Sequence, residues 1–439
     1  MCSSDLSDKL QAAREYILQK IERGELAGGA KLPAAREYSE EIGVSLPITQ
    51  MAFNSLTRDG ILVSVPRQGT YVRRDWNCRI LPGSFRTFRP VWTEIIRDQV
   101  VPEVPGLRIC DAFRESAFEI RSTFDANWRQ DDYLDLNEFL EEAYPDRGDF
   151  FMTQFQSFHA RDGKLYAIPL IFSPWVICCN VRMIEAAGGE LPRPDWNWQD
   201  FLALIGLLRR KYPPEQVFDL WYSPTFRLTF LFRSGGAVLE RAADGSCRVR
   251  LDEPESIAGL KRLQELSRVL GDSRLHWYDS RSSFRAGTMA LAAAAREDVD
   301  FNAAFEWISV PLPMLPGGAD RTRQANDLLC VRRQVTDFRQ VAEVVRLLLS
   351  QQVQDRLGAI RYGIPIRRSS AIRSFNEEDR RDAVFFSELP KIVPDHSLGW
   401  SELQRLLLTG IDRIRRGQAE PEPVATELAA AFRTIIRYS

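Results

Sequence analysis

The chain begins with apolar positions three and four residues apart, which predicts an amphipathic helix over about residues 6–23. Its apolar face consists of Leu6, Leu10, Ala13, Ile17 and Ile21. Gly24 is expected to end this helix, because glycine readily adopts the left-handed conformation found after helix C-termini. Pro33 suits the first turn of a second, shorter helix over residues 34–41.

A third helix and two short strands follow. Ser45 is a suitable N-cap for a helix that runs to about Asp59. Apolar and β-branched residues over 61–65 and 70–72 predict two strands that form a hairpin. Three helices and a hairpin in this order predict a winged helix, whose last helix enters the major groove of DNA.

Beyond this region the helical periodicity stops and then resumes in a different form. Pro82 and Gly83 interrupt residues 77–88, which we interpret as a linker. From residue 89 onward, helical segments alternate with short apolar runs, which is typical of an α/β architecture. The predicted helices are 92–100, 134–143, 181–187, 398–416 and 423–438, and the predicted strands are 107–110 and 176–180. We therefore expect a DNA-binding domain at 1–76, a linker at 77–88 and an effector domain at 89–439.

Length and composition support a multidomain globular protein. A chain of 439 residues is too long for one ordinary core, and its apolar and charged fractions of 44% and 27% are those of folded proteins. The net charge of -2 neither favours nor excludes nucleic acid as a partner. The N-terminus lacks the features of a secretory signal, and no apolar stretch is long enough to span a bilayer. We expect a cytoplasmic protein without membrane contact.

The cysteines and histidines predict neither disulfides nor a metal site. The 7 cysteines include no pair with metal-ligand spacing, and the 3 histidines, His159, His276 and His396, stand far apart. Reduced thiols fit the cytoplasm. We expect no metal and no cofactor.

The N-terminal pattern resembles the GntR family of transcriptional regulators. The match is carried by Ile17, Ile21, Gly24, Leu26, Gly29, Leu32, Pro33, Arg36, Val44, Ser45, Leu56, Gly60, Ile61, Gly69, Thr70, Tyr71 and Val72. The resemblance implies that Arg36 contacts DNA at the start of the second helix. It also implies that the groove or the phosphates are faced by Ser45, Thr49 and Gln50. The wing tip would be formed by Arg67, Gln68 and Gly69.

Two departures from the family affect the expected DNA affinity. Leu46 stands where the family usually has a basic residue, and residues 1–76 contain ten basic and ten acidic side chains. Non-specific affinity scales with the number of phosphate contacts, so a weak electrostatic contribution is expected. A homodimer on a two-fold operator would compensate by doubling the contacts.

The rest of the chain resembles the sugar-type extracellular solute-binding proteins of ABC importers. The matching segments are 163–169, 173–175, 185–188, 195–201, 235–238, 252–255, 284–290, 310–313, 351–357 and 363–365. Cys178-Cys179-Asn180 departs from the family, which has tyrosine before the asparagine. The resemblance implies a periplasmic-binding-protein type 2 fold: two α/β lobes, crossings near 169–175 and 309–313, and a ligand in the cleft.

A sugar site requires aromatic platforms and polar groups that can pair with hydroxyls. We consider as ligand contacts Asp111, Phe113, Arg114, Ser173, Trp175, Trp221, Tyr222, Trp277, Tyr278, Asn326, Asp327, Arg361 and Tyr362. Asp111, Phe113 and Arg114 follow a predicted strand, where ligands of α/β folds collect. Hinge packing is the alternative for Trp175, and capping or surface roles are the alternatives for the others.

Three functions remain open at this point. The first is a non-enzymatic regulator whose DNA affinity responds allosterically to a mono- or oligosaccharide. The second is a pyridoxal-phosphate aminotransferase-like body behind a GntR head, which is disfavoured because none of Lys164, Lys211, Lys261 and Lys391 has the sequence context of a Schiff-base lysine. The third, a transport module, is disfavoured by the predicted DNA-binding head.

Overall fold

The computed structural model of the chain describes residues 3–219, 224–242, 245–271 and 283–438. It has two compact units. The head unit comprises Met1–Ile120 and Cys330–Leu347, and the body unit comprises Arg121–Leu329 and Leu348–Ser439. The division into 1–76, 77–88 and 89–439 stays a prediction.

The head unit begins with a winged helix. Its elements are α1 (Ser3–Glu22), α2 (Ala35–Ile42), α3 (Leu46–Arg58), β1 (Leu62–Val65) and β2 (Gly69–Val72). The two strands are antiparallel, and Val65 pairs with Gly69 across the turn. Ile17, Leu56 and Val72 are among the buried side chains of its core.

The remainder of the head unit contains three strands that pair in parallel, together with helices. Its elements are β3 (Leu81–Arg86), α4 (Pro90–Gln99), β4 (Arg108–Ile109), β5 (Ser116–Ser122) and α13 (Phe338–Leu348), of which β5 and α13 extend into the body unit. Strand β3 pairs in parallel with both β4 and β5. The predicted linker therefore contains a paired strand. Gly83 has φ 72° and a Cβ there would lie 2.1 Å from the carbonyl oxygen of Gly106, so only glycine fits.

The body unit contains most of the helices. They are α5 (Thr123–Trp128), α6 (Asn137–Ala143), α7 (Val181–Ala186), α8 (Trp198–Arg209), α9 (Pro214–Val217), α10 (Pro224–Arg227), α11 (Thr229–Arg233), α12 (Pro254–Leu270), α14 (Gln351–Ala359), α15 (Arg368–Ser374), α16 (Arg380–Ser387), α17 (Ser401–Arg415) and α18 (Pro421–Tyr438). Its strands are β6 (Ile168–Pro174), β7 (Val176–Asn180), β8 (Leu239–Arg241), β9 (Cys247–Val249), β10 (Leu291–Ala294), β11 (Trp307–Val310), β12 (Gln324–Val331) and β13 (Ile364–Pro365).

Two sheets of the body unit are connected by the chain at two places. Strand β7 lies between β10 and β11, whereas β6 lies between β12 and β13. The chain passes from one sheet to the other at Trp175, between β6 and β7, and again over residues 311–323, between β11 and β12. Arg233 supports the second passage, because its guanidinium donates to the carbonyls of Leu312 and Pro313. We call the region around these passages the junction.

A large apolar core lies on the β7 side of the junction. It combines residues of α8, α12, α17 and α18 with those of β7 and β10. No helix within the described ranges has both the length and the apolar character needed to cross a bilayer.

Candidate functional site

The solvent-facing side of α3 is a candidate DNA-reading surface. Ser45 is exposed at its N-cap in an extended conformation, and Leu46, Gln50, Met51 and Asn54 follow on the exposed side. Gln50 Nε2 donates to Asn54 Oδ1 at 3.2 Å. Gln50 therefore lies where expected, and Met51 and Asn54 join the same face. Apolar side chains at such positions contact thymine methyl groups, and amides pair with adenine.

Thr49 does not lie on this surface, which corrects its assignment as a DNA contact. It is 0% exposed, and its hydroxyl donates to the carbonyl of Ser45 at 3.4 Å. Thr49 precedes the buried residues Ala52 and Phe53 by three and four positions, so it lies on the inward face of the helix.

Arg36 lies on an exposed part of α2. Its guanidinium is 3.5 Å from the carboxylate of Glu40, and both side chains are more than 70% exposed, at 83% and 72%. An exposed pair of this kind contributes little to stability, so Arg36 can exchange Glu40 for a phosphate at small cost.

The wing tip presents three exposed residues at the hairpin turn: Arg67, Gln68 and Gly69. Arg67 adopts φ 61°, which is uncommon for a residue with a side chain. Gly69 adopts φ 120°, and a Cβ there would lie 2.8 Å from Cε of Lys31. The wing thus carries a second basic group, Lys31, which sequence reasoning missed because it precedes the hairpin by more than thirty residues.

The three residues expected after the strand at 107–110 do not form a ligand pocket. Phe113 is buried in the winged-helix core, where it packs edge-on against Trp76 at 5.2 Å between ring centroids. The backbone N–H of Arg114 donates to Asn77 at 2.7 Å, and its carbonyl accepts from Arg86. Asp111 is exposed. For Phe113 this is a correction, because its side chain packs in the winged-helix core. Arg114 is exposed, and its assignment as a ligand contact stays a prediction.

A buried ion-pair cluster joins strand β4 to helix α1. Arg108, on β4, is 8% exposed and forms two hydrogen bonds with the carboxylate of Glu22, both at 2.8 Å, and one with Glu15 at 2.9 Å. Both glutamates lie on α1. Burial alone would lower the pKa of Arg108, but Glu22 and Glu15 hold it above the ordinary value, so the guanidinium stays charged.

Arg296 crosses the junction of the body unit. It follows β10, yet its backbone N–H donates to Ser173 Oγ at the end of β6, and its guanidinium donates to the carbonyl of Gly363 just before β13. Ser173 is fully buried and its hydroxyl donates to Pro174. Ser173 therefore lies at the junction, as expected. Its hydroxyl accepts the hydrogen bond from the backbone N–H of Arg296.

A fully buried carboxylate neutralises Arg296. Asp382 accepts from Nε at 2.7 Å and from Nη2 at 3.0 Å, a bidentate geometry, and both side chains are 0% exposed. The Phe386 ring centroid lies 5.2 Å from the guanidinium carbon. Because buried charges require this degree of pairing, Arg296 and Asp382 fix β10, β13 and α16 relative to one another.

Four further predicted residues have hydrogen-bond or ion-pair partners within the body unit. Asn326 accepts from Thr123 at 3.4 Å and donates to the carbonyl of Ile171 at 3.3 Å. Asp327 is buried and accepts a hydrogen bond of 2.5 Å from the hydroxyl of Tyr362. Arg361 is the fourth residue. The structure thus places Arg361 beside Asp382 and Tyr362 beside Asp327, whereas Asn326 contacts Thr123 and strand β6.

Arg361 belongs to a second group of charged residues. Its other members, Asp379 and Arg381, were not predicted from the sequence. Arg361 pairs with Asp379 at 2.9 Å and lies over the ring of Phe301 at 4.6 Å. Arg381 also pairs with Asp379 at 2.9 Å and lies over Trp307 at 4.8 Å. Burial alone would raise the pKa of Asp379, but hydrogen bonds from Arg381 and Arg361 hold it well below its usual range. The group thus combines two planar guanidinium groups with the rings over which they lie.

Trp175 has the packing role that was its alternative. It is 3% exposed in the core on the β7 side and packs against Phe226 at 5.3 Å. The remaining predicted contacts, Trp221, Tyr222, Trp277 and Tyr278, lie outside the described residues.

Lys164, one of the four lysines considered for a Schiff base, has two backbone partners. Lys164 Nζ donates to the carbonyls of Gln130 and Tyr133 at 3.1 and 3.3 Å, a structural role. Over residues 3–219, 224–242, 245–271 and 283–438, no group of three or more acidic, histidine or cysteine side chains could hold a metal ion.

Comparison with known proteins decides the class of the N-terminal region. The family of bacterial regulatory proteins named gntR matches residues 9–72. These residues form a gntR-type winged helix. The uncharacterized HTH-type transcriptional regulator YieP of Escherichia coli is 34% identical over 97 residues, 22% of this chain and 41% of its own length. The transcriptional repressor NagR of Bacillus subtilis is 33% identical over 60 residues, 14% of this chain and 25% of its own.

The gntR-type head is followed by a different fold. The chain spans less than half the length of the curated relatives it matches, but it covers nearly all of several solute-binding proteins. UgpB of Mycobacterium tuberculosis, in complex with glycerophosphocholine, has a TM-score of 0.64 at 16% identity, covering 81% of this chain and 98% of its own. A Thermotoga lettingae solute-binding protein bound to tagatose has a TM-score of 0.65 at 13% identity, covering 80% and 98%. The larger part of the chain therefore has the solute-binding-protein fold.

Proposed function

We propose that this protein is a cytoplasmic, homodimeric transcriptional regulator whose body unit binds a sugar and thereby changes the operator affinity of the winged helix. The observation that carries the proposal is the attachment of the two folds within the head unit. Arg108, Cys110 and Phe113, from the start of the second fold, are buried against the winged helix. A displacement of β4 would be transmitted to α1, since Arg108 is bonded to two glutamates of that helix.

The ligand-binding half of the proposal rests on the junction. Two sheets linked by two short passages suit a hinge, and hinge closure around a ligand is a common route to a change of state. Tagatose and cycloalternan are bound by neighbours with this fold. Ser173, Asn326, Asp327, Arg361 and Tyr362 would supply hydroxyl partners, and Phe301 and Trp307 would supply apolar faces. Trp221, Tyr222, Trp277 and Tyr278 remain candidate platforms.

The DNA-binding half rests on the exposed surface of the winged helix. Arg36, Ser45 and Gln50 would face the major groove, while the wing tip at residues 67–69 would contact the backbone or minor groove. Residues 1–76 have as many acidic as basic side chains. Their phosphate contacts are therefore few, and two heads on a two-fold operator would be needed for tight binding.

The experiment starts from the full-length protein. Operator DNA is selected from random duplexes, neutral mono- and oligosaccharides are screened by calorimetry, and DNA affinity is then measured by fluorescence anisotropy with and without each sugar that binds. We expect at least one sugar to change DNA affinity about five-fold or more, the usual size of allosteric coupling.

A variant and a matched control test the ligand-binding half of the proposal. Arg381→Gln should weaken sugar binding and lose the response, because it removes a planar donor set over Trp307. Arg346→Gln, which removes an exposed arginine paired with Glu343, is the control. DNA affinity that stays the same with every bound sugar would contradict the proposal.

A further inference from the structure

A cavity in the body unit shares no residue with the junction. Its volume is about 410 Å³, within the range of about 300–1,000 Å³ for small-molecule sites. Separate segments line it: the loop before β6, the hairpin of β8 and β9, the segment before α17, and α18. The lining residues are His159, Ala160, Arg161, Asp162, Arg241, Gly245, Ser246, Cys247, His396, Trp400 and Ile436.

Two arginines give this cavity a positive character. Arg161 is exposed, and its guanidinium carbon lies 5.7 Å from the ring centroid of Trp400. Arg241 is half-buried at the end of β8. In the part of the chain that the structure describes, neither guanidinium pairs with a carboxylate. Asp162, the acidic group among the lining residues, accepts from the backbone N–H of Lys164 at 3.1 Å.

Two half-buried imidazoles complete the polar lining. His159 Nδ1 lies 3.1 Å from the carbonyl of Phe155, which can only accept, so Nδ1 carries the proton. Nε2 of His159 is then the atom that can take up a further proton. Burial lowers the pKa of His159 and of His396, and the nearby charge of Arg241 lowers both further. An anion in the cavity would favour the protonated form of both imidazoles.

We propose that this cavity binds a small organic oxyanion, a phosphate ester or a carboxylate, at a site separate from the proposed sugar site. Guanidinium groups form paired hydrogen bonds with both kinds of oxyanion. The indole face of Trp400 and the side chain of Ile436 provide apolar surface for the rest of the molecule. Because the cavity is lined by segments distant in sequence, a bound oxyanion would contact several of them and hold them together.

The test is calorimetry on the full-length protein without DNA. Glucose 6-phosphate and citrate are the oxyanion probes, and glucose is the neutral counterpart. We expect at least one of the two oxyanions to bind more tightly than glucose. The double variant Arg161→Gln with Arg241→Gln should lose that affinity ten-fold or more. Whichever oxyanion binds more tightly assigns the phosphate or the carboxylate.

The controls keep folding and the proposed sugar site apart from this result. Arg248→Gln removes an exposed arginine on the same hairpin that pairs with Glu253, and it should bind the oxyanion as the unmodified protein does. Arg241→Gln alone serves if the double variant does not fold. Failure of both oxyanions to bind, or equal affinity in the arginine variants, would overturn the proposal. A neutral sugar bound at the junction should be unaffected by these changes, so either proposal can fail without the other.

Discussion

Arg67 carries backbone strain at the tip of the wing. At φ 61° a residue with a side chain costs roughly 1 kcal/mol relative to glycine, and strain of this kind persists where the side chain has a use. The exposed guanidinium is suited to a phosphate contact.

Arg67→Gly should therefore change the free energy of unfolding by no more than about 1 kcal/mol. It should weaken DNA binding and reduce the slope of log affinity against log salt by about 1. Anisotropy titrations at several salt concentrations measure both effects. Arg23→Gln, an exposed change after α1, is the control. An unchanged salt slope in Arg67→Gly would show that this side chain does not contact a phosphate.

Asp382 neutralises the buried guanidinium of Arg296. Asp382→Asn removes the charge that neutralises Arg296, which is buried, so we expect a loss of about 3–5 kcal/mol in the free energy of unfolding. Glu343→Gln breaks an exposed pair and should cost less than about 1 kcal/mol. Chemical denaturation followed by tryptophan fluorescence compares them. Similar losses in the two variants would mean that the Arg296 pair is not a fixed part of the fold.

Single positions show what the sequence could and could not predict. The burial of Thr49 follows from its spacing to Ala52 and Phe53, so helical periodicity could have excluded it as a DNA contact. Phe113 gave no such signal, since its partner Trp76 lies beyond any local period. Arg296 bonds to residues 67 to 86 positions away, and its role could not be read from neighbouring residues.

Whole elements were predicted where the pattern is local. The helix α3, its N-cap Ser45 and the strand β7 fall within a residue or two of the predicted bounds. Strand β3 was predicted only as a first strand reached by the linker, without bounds, because Pro82 and Gly83 disrupt its pattern. Its identity depends on parallel pairing with β4 and β5, which are more than twenty residues away. Pairing between distant segments leaves no period in the sequence.

The attachment of β4 to α1 is the element-scale feature most open to test. Arg108→Gln leaves Glu15 and Glu22 close together without their cation, so we expect the unfolding midpoint to fall and the sugar response of DNA binding to weaken. Arg97→Gln, an exposed change on α4, should do neither. Melting curves and the anisotropy assay measure the two effects. A full sugar response in a folded Arg108→Gln protein would exclude this route of transmission.

At the scale of the whole molecule, the cavity histidines predict a pH dependence. His159 faces Arg241, Asp135 and His396, and His396 faces Asp395 and Arg241. Burial has a larger effect than these charges and lowers both pKa values below the value in the unfolded chain, about 6.5. As pH falls through 6.5, the unfolded chain takes up protons first, so stability decreases.

We expect the melting temperature to decline between pH 7.5 and 5.5, and the double variant His159→Gln with His396→Gln to flatten that decline. An oxyanion in the cavity should also flatten it, because the anion favours the protonated imidazoles. Scanning calorimetry over this pH range, with and without glucose 6-phosphate, measures both. A decline of the same size in the variant would assign the pH dependence to other groups.

The shared core of the winged helix also determines how such a protein could be assembled or rebuilt. A hybrid regulator made by cutting at residue 76 would separate the head from Cys110 and Phe113, which complete its interior, and from Arg108, which neutralises α1. A cut after residue 115 would keep these contacts, though it would carry β3 and β4 along with the head. A boundary at which the winged helix can be exchanged therefore lies inside the second fold, and a transferred winged helix would need the beginning of that fold with it.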